Sequence, residues 1–181
     1  HEASGIQRKP VDALAMVNET QAEIASLTDR QQEQLGADNI TTRAVDLLRE
    51  RAASIDGSLS EWGLHHCDFT PSNLIVSPRG EAVRGFDFGK ATDVAPVSFD
   101  LATFTLRAWD ISAALMLKRT TAGDLRLSGI MDAVLNGYDP DWSEADKNWT
   151  SWCVLHKSIS RKLRYYKYRE MVANRNLALY M

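Results

Sequence analysis

The feature that most limits how this chain can fold is a change of period in its middle. On either side, apolar residues recur at helical spacing. Between residues 62 and 88 that spacing stops and three short apolar runs replace it. The runs are Trp62-Gly-Leu64, Leu74-Ile-Val-Ser77 and Ala82-Val-Arg-Gly-Phe-Asp-Phe88, with Pro78-Arg-Gly80 as a turn between the last two. Such a pattern predicts a mostly α-helical α+β chain with one small β-hairpin at its centre, and places β-structure nowhere else.

The flanking helices follow from their stripes. Leu14, Val17, Ile24 and Leu27 share a face within a helix over 12–34. Val45, Leu48, Ala52 and Ile55 do so over 41–56, with Gly57 as a stop. After the hairpin, Leu101, Phe104, Ala108, Ile111 and Leu115 form a third stripe, and a weaker one covers 124–136. Ser143-Glu-Ala-Asp146 opens a last helix with a capping box, and its face carries Trp149, Trp152, His156, Ile159 and Leu163. With 181 residues the chain suffices for one domain, 1–181, with a substantial core.

Several functional classes fall away on composition. No apolar run approaches the roughly 18 residues of a membrane span, and the polar start, His1 to Pro10, is unlike a secretory signal. Two cysteines, Cys67 and Cys153, make no disulfide framework, so reduced thiols and a cytoplasmic setting are expected. A formal charge of −3 argues against nucleic acid as a partner. The initial His1 leads one to expect a piece of a longer product. The charge is uneven: from Lys147 to Arg175 eight basic residues face one acid, Glu170.

Chemistry concentrates in residues 64–102. Phosphoryl transfer needs a carboxylate beside the acceptor hydroxyl, and oxygen ligands for a hard cation that offsets the phosphate charge. His66-x-Asp68-x-x-x-x-Asn73 supplies that order between two short strands. Asp68 would face the acceptor and take its proton, and the Asn73 amide oxygen would bind Mg²⁺. Asp87, in Asp-Phe-Gly, would bridge metal and ATP phosphates. Because 74–77 and 82–88 pair, Asn73 and Asp87 come close although fourteen positions separate them.

At these residues the chain resembles a known family. His66-Cys-Asp68-Phe-Thr-Pro-Ser-Asn73 is similar to the His-Gly-Asp-x-x-x-x-Asn loop of aminoglycoside phosphotransferases and of choline and homoserine kinases. Gly85-Phe-Asp87-Phe-Gly resembles their Ile-Asp-Phe-Gly, and Ser98-Phe-Asp100-Leu-Ala their Tyr-Asp-Leu-Ala. The close resemblance spans about forty residues. It implies the carboxyl-terminal lobe of a protein-kinase-like fold, with the hairpin carrying the catalytic loop. It also implies a scaffold role for His66 and a loop-supporting role for Asp100, which is compatible with Asp100 simply capping its helix. The implied activity is ATP-dependent phosphorylation of a small-molecule hydroxyl, on an aminoglycoside or other antibiotic among the possibilities. A protein kinase does not fit. No Lys stands two places after Asp68, no Ala-Pro-Glu follows, and thirteen positions between Asp87 and Asp100 leave no activation segment.

Departures and competing readings follow. Cys67 replaces the family's Gly, and Lys90 stands where many relatives carry an acid, which puts a second metal in doubt. No Gly-rich loop or strand Lys of the nucleotide lobe precedes residue 64. That lobe is therefore expected outside this chain, packed on the hairpin side, and the isolated chain is expected to be inactive. The alternative is a non-catalytic, kinase-derived binding module. His65-His66-Cys67-Asp68 as a zinc cluster is disfavoured, since adjacent residues on one loop rarely converge on one ion. Trp149, Trp152, Tyr165, Tyr166 and Tyr168 offer the aromatics of a quaternary-ammonium cage, but the two Trp share the stripe of Ile159 and Leu163, so core packing is favoured. The basic run 157–169 is expected to be a solvated face, with contact to a substrate anion or a partner domain as the minority reading. Asp139, Asp141, Glu144 and Asp146 are the candidate acids for a cationic acceptor.

Overall fold

The computed structural model describes residues 7–117, 127–139 and 141–178. The chain is α+β and mostly helical, and falls into two compact units: His1–Val11 with Ser58–Val154, and Asp12–Gly57 with Leu155–Met181. In chain order the elements are β1 (Gln7–Pro10), α1 (Ala13–Ala25), α2 (Asp29–Ala37), α3 (Asn39–Ile55), β2 (Leu59–His65), a 3₁₀ turn (Pro71–Asn73), β3 (Leu74–Val76), β4 (Val83–Gly85), β5 (Thr92–Pro96), α4 (Val97–Leu117), α5 (Leu127–Tyr138) and α6 (Glu144–Ala178).

The first unit holds the β-structure, and there is more of it than the apolar runs predict. Besides the β3–β4 hairpin, an antiparallel sheet runs in the order β1-β2-β5. Gln7 pairs with Trp62 and Pro10 with Leu59 on one side, and Trp62 pairs with Pro96 on the other. The β2–β5 register shifts between Gly63 and His65, so the strand bends just where it enters the catalytic loop. The hairpin registers Leu74 with Gly85 and Val76 with Val83. Its turn closes through Gly80, whose φ of +74° is the left-handed conformation that glycine adopts without steric cost.

Two clusters fill this unit. Leu101, Leu135 and Trp142 are buried together with Val97, Met131 and Val134 against them. On α6, Trp149 and Trp152 stack at 5.2 Å with planes 14° apart, both almost wholly buried. Trp149 in turn meets Phe99 at 6.3 Å, and Phe99 meets His65 at 6.0 Å. The two tryptophans are therefore core residues, as their helical register predicts. At α6 the expected capping box forms only in part: Ser143 Oγ accepts from Asp146 N at 3.2 Å, but donates to Asp146 Oδ2 at 2.5 Å in place of the backbone bond that would complete it. Arg8 reaches the same carboxylate at 2.9 Å.

The second unit is helical. The single helix expected over 12–34 is two, because Thr28 caps a new start. Its hydroxyl accepts from Gln31 N at 3.4 Å, and Gln31 Oε1 accepts from Thr28 N at 3.0 Å. α3 ends before Gly57, at φ +74°, as its sequence predicts. Leu35, Leu48, Ala52, Ile159 and Leu163 are buried here. Asp38, the cap of α3, accepts from Thr41 N at 3.1 Å, Lys162 Nζ at 3.1 Å and Tyr166 Oη at 3.1 Å. Lys167 pairs with Glu23 at 3.2 Å. Two members of the basic run are thus bound to carboxylates within this unit, and the run is not simply a solvated face.

Candidate active site

The sheet and α4 together build the catalytic loop. β2 delivers the chain to His66, and β5 runs straight into α4, so Asp100 enters in the first helical turn. Its carboxylate accepts from His66 N at 2.7 Å and from Cys67 N at 3.2 Å. Charge-assisted bonds to two successive amides fix the loop's direction as it leaves the strand. His65 Nε2 also lies 3.1 Å from Asp100 Oδ1, but off the axis of a hydrogen bond, so that contact is electrostatic only.

His66 is buried, and its Nε2–H donates to the Phe86 carbonyl at 2.8 Å, tying the loop to the strand end after β4. Its ring packs on Phe88 at 4.6 Å and Phe69 at 5.9 Å. One ring nitrogen is thus engaged and the ring is enclosed. Cys67, next along, has φ +64°. This is a glycine-like conformation, which accounts for the small residue that relatives carry there. Its Sγ is exposed, 3.3 Å from His65 Nδ1.

Asp68, Asn73 and Asp87 are joined through backbone. Asn73 Nδ2 donates to the Asp68 carbonyl at 2.9 Å, and its amide oxygen takes no part in that bond. The Asn73 carbonyl accepts from Phe86 N at 3.1 Å, one residue before Asp87. Asp87 itself sits at φ +63°, tolerable for Asp. One amide oxygen and one carboxylate are a hard donor set that fits Mg²⁺, which takes few protein ligands beside phosphate and water. Among the described residues no group of three or more His, Cys, Asp or Glu is arranged for a metal, so the zinc cluster finds no support. Lys90 Nζ lies 3.5 Å from Asp68 Oδ2.

Asp68 opens on a cavity of about 250 Å³, with Thr70 and Ser72 on the loop side and Arg107, Asp110 and Ile111 from α4. Sequence reading missed the α4 residues, because no motif marks them. The signal available was arithmetic: Arg107 lies seven positions, two turns, beyond Asp100 and so on its face of the helix. Of the acids expected for a cationic acceptor, Asp146 is excluded, with a wholly buried carboxylate paired to Arg8. Asp139 is engaged locally, accepting from Asp141 N at 2.9 Å.

A loop of this motif braced by a helix carboxylate points to a kinase-like class, and comparison with known proteins names the family. Residues 1–145 match the phosphotransferase enzyme family, and the chain belongs to that family. It is 32% identical over 107 residues to the EKC/KEOPS complex subunit bud32 of Aspergillus clavatus, a match covering 55% of this chain and 38% of that protein. Two solved structures of glucosamine kinase share the fold at a TM-score of 0.54 each. One is 17% identical, covering 90% of this chain and 43% of the other. The second, in complex with glucosamine, ADP and inorganic phosphate, is 14% identical, covering 97% and 52%. The chain thus spans about half or less of the length of these relatives.

Proposed function

We propose that this protein takes part in ATP-dependent phosphorylation of a hydroxyl on a small molecule. The observation that carries the reading is the double clamp of Asp100 on the His66–Cys67 backbone, which holds Asp68 at the mouth of a polar cavity. In this scheme Asp68 positions the acceptor hydroxyl and receives its proton. Asn73 and Asp87 hold Mg²⁺, which offsets charge on the ATP phosphates. His66 and Asp100 keep the loop in place. The acceptor belongs among small polyhydroxyl compounds, with single sugars and aminoglycosides as the two kinds to compare. ADP bound in one glucosamine kinase structure supports ATP as donor.

The nucleotide is closed over from the hairpin side by a segment outside this chain. The support is an apolar surface on β3, β4 and the residues after them: Ile75 is 61% exposed and Val83 58%, with Phe86 and Phe88 also open. A second reading, a non-catalytic module, draws on the likeness to a subunit of a complex.

Steady-state kinetics on the full-length protein separates the two. Asp68→Asn should lower turnover by about two orders of magnitude or more with nucleotide affinity nearly intact. Asp87→Asn should weaken Mg·ATP binding as well as turnover, and His66→Ala should act chiefly through a lower melting temperature. Near-normal turnover in Asp68→Asn would sink the phosphotransferase reading.

A further inference from the structure

We infer that Arg107 and Asp110 select the acceptor, and that the part of it they hold is a neutral polyhydroxyl ring. The inference rests on the phosphotransferase reading and narrows its substrate. The cavity at Asp68 has a volume of about 250 Å³, room for one such ring.

Its wall chemistry is paired. The Arg107 guanidinium lies 3.6 Å from the Asp110 carboxylate, one turn apart on α4. Arg offers only donors in a planar fork and an ionised Asp only acceptors. Side by side they match adjacent hydroxyls, one oxygen accepting from the guanidinium while its neighbour donates to the carboxylate. Thr70 and Ser72, bonded to each other through their hydroxyls at 2.8 Å, add polar edge on the loop side. Ile111, partly exposed, offers an apolar pad to the C–H face of a ring.

Charge then decides between acceptors. The carboxylates of Asp68 and Asp110 are balanced by Arg107 and by Lys90, whose Nζ is 3.5 Å from Asp68. A site neutral in sum offers no net attraction to a polycation or to an anion, which leaves a neutral acceptor favoured.

The test is transfer from ATP by the full-length protein to a neutral hexose, an amino-hexose and a multi-ring aminoglycoside. Expected is the highest kcat/KM on the neutral hexose. Arg107→Gln and Asp110→Asn should each raise acceptor KM about tenfold or more, as loss of a charged hydrogen bond does. The KM for ATP should stay put, and Asp110→Glu should recover much of the loss, which separates recognition from a merely structural effect. Transfer that Asp68→Asn abolishes, but with acceptor KM unmoved in both α4 variants, would overturn this inference alone. The same holds if the aminoglycoside proves the best acceptor. No transfer to any acceptor by the wild-type protein would overturn the reading beneath it.

Discussion

Cys67 holds a left-handed backbone at φ +64°, a conformation costing a side-chain-bearing residue roughly 1–2 kcal/mol, while glycine adopts it freely. Cys67→Gly should therefore stabilise the fold by up to about 1 kcal/mol, after the glycine's greater freedom in the unfolded chain is allowed for, and so raise the melting temperature. Cys67→Val, β-branched and worse suited, should lower it, and thermal melting of both isolates the backbone effect. At His156, burial foremost and then neighbouring Lys157 lower the pKa from its ordinary value to about 4. Below about pH 6.5 the unfolded chain takes up a proton that the folded chain refuses until about pH 4. Stability should thus fall across that window, by up to about 3 kcal/mol, and level off beneath it. Denaturant unfolding at pH 7 and pH 4.5 should show a smaller loss in His156→Gln than in the wild type. Asp68, Asn73 and Asp87 can be singled out in the sequence because a motif fixes both their type and spacing, and their roles stay a proposal. That Arg107 and Asp110 line the cavity at Asp68 was not legible, since a helix face gains meaning only from what it packs beside.

Among the elements, α3 depends on its cap. Asp38 closes the first turn and also receives Lys162 and Tyr166, and these bonds to its ionised form, the Thr41 amide foremost, hold its pKa well below the usual carboxylate range. Asp38→Ala should lower the midpoint of chemical denaturation, and Asp38→Asn should lower it less, because the neutral amide keeps an acceptor for the Thr41 amide. The strands divide by legibility. β3 and β4 announce themselves through apolar runs around a Pro-Arg-Gly turn. β1, Gln7-Arg-Lys-Pro10, carries no strand propensity and exists because β2 offers it a partner; β5, ending at Pro96, sits likewise on the outer edge. The break between α1 and α2 was written in Thr28 and Gln31, but the apolar stripe running across it masked the capping box.

At the scale of the whole molecule, the apolar hairpin surface and the few phosphate-holding groups set a limit on what this chain does by itself. Calorimetry of the 181-residue chain with Mg·ATP should find weak binding or none, because the proposed site draws only Asn73 and Asp87 from it to hold the metal and phosphates. Low-micromolar affinity would show that residues within this chain hold the phosphates unaided. The fold class was readable from periodicity and the loop from its motif. The grouping of residues into two compact units was not, since α6 runs through both with one continuous stripe.

The aromatic series from His65 through Phe99 to the stacked indoles has an optical consequence. Two tryptophans nearly parallel and 5.2 Å apart, both buried, sit in one fixed asymmetric environment and should contribute to the near-ultraviolet circular dichroism. Phe99 leans on one of them and immediately precedes the carboxylate that clamps the loop. The chain therefore carries its own chromophore beside the His66–Cys67 loop, and a change in that signal on adding acceptor would register the loop's movement with no label attached.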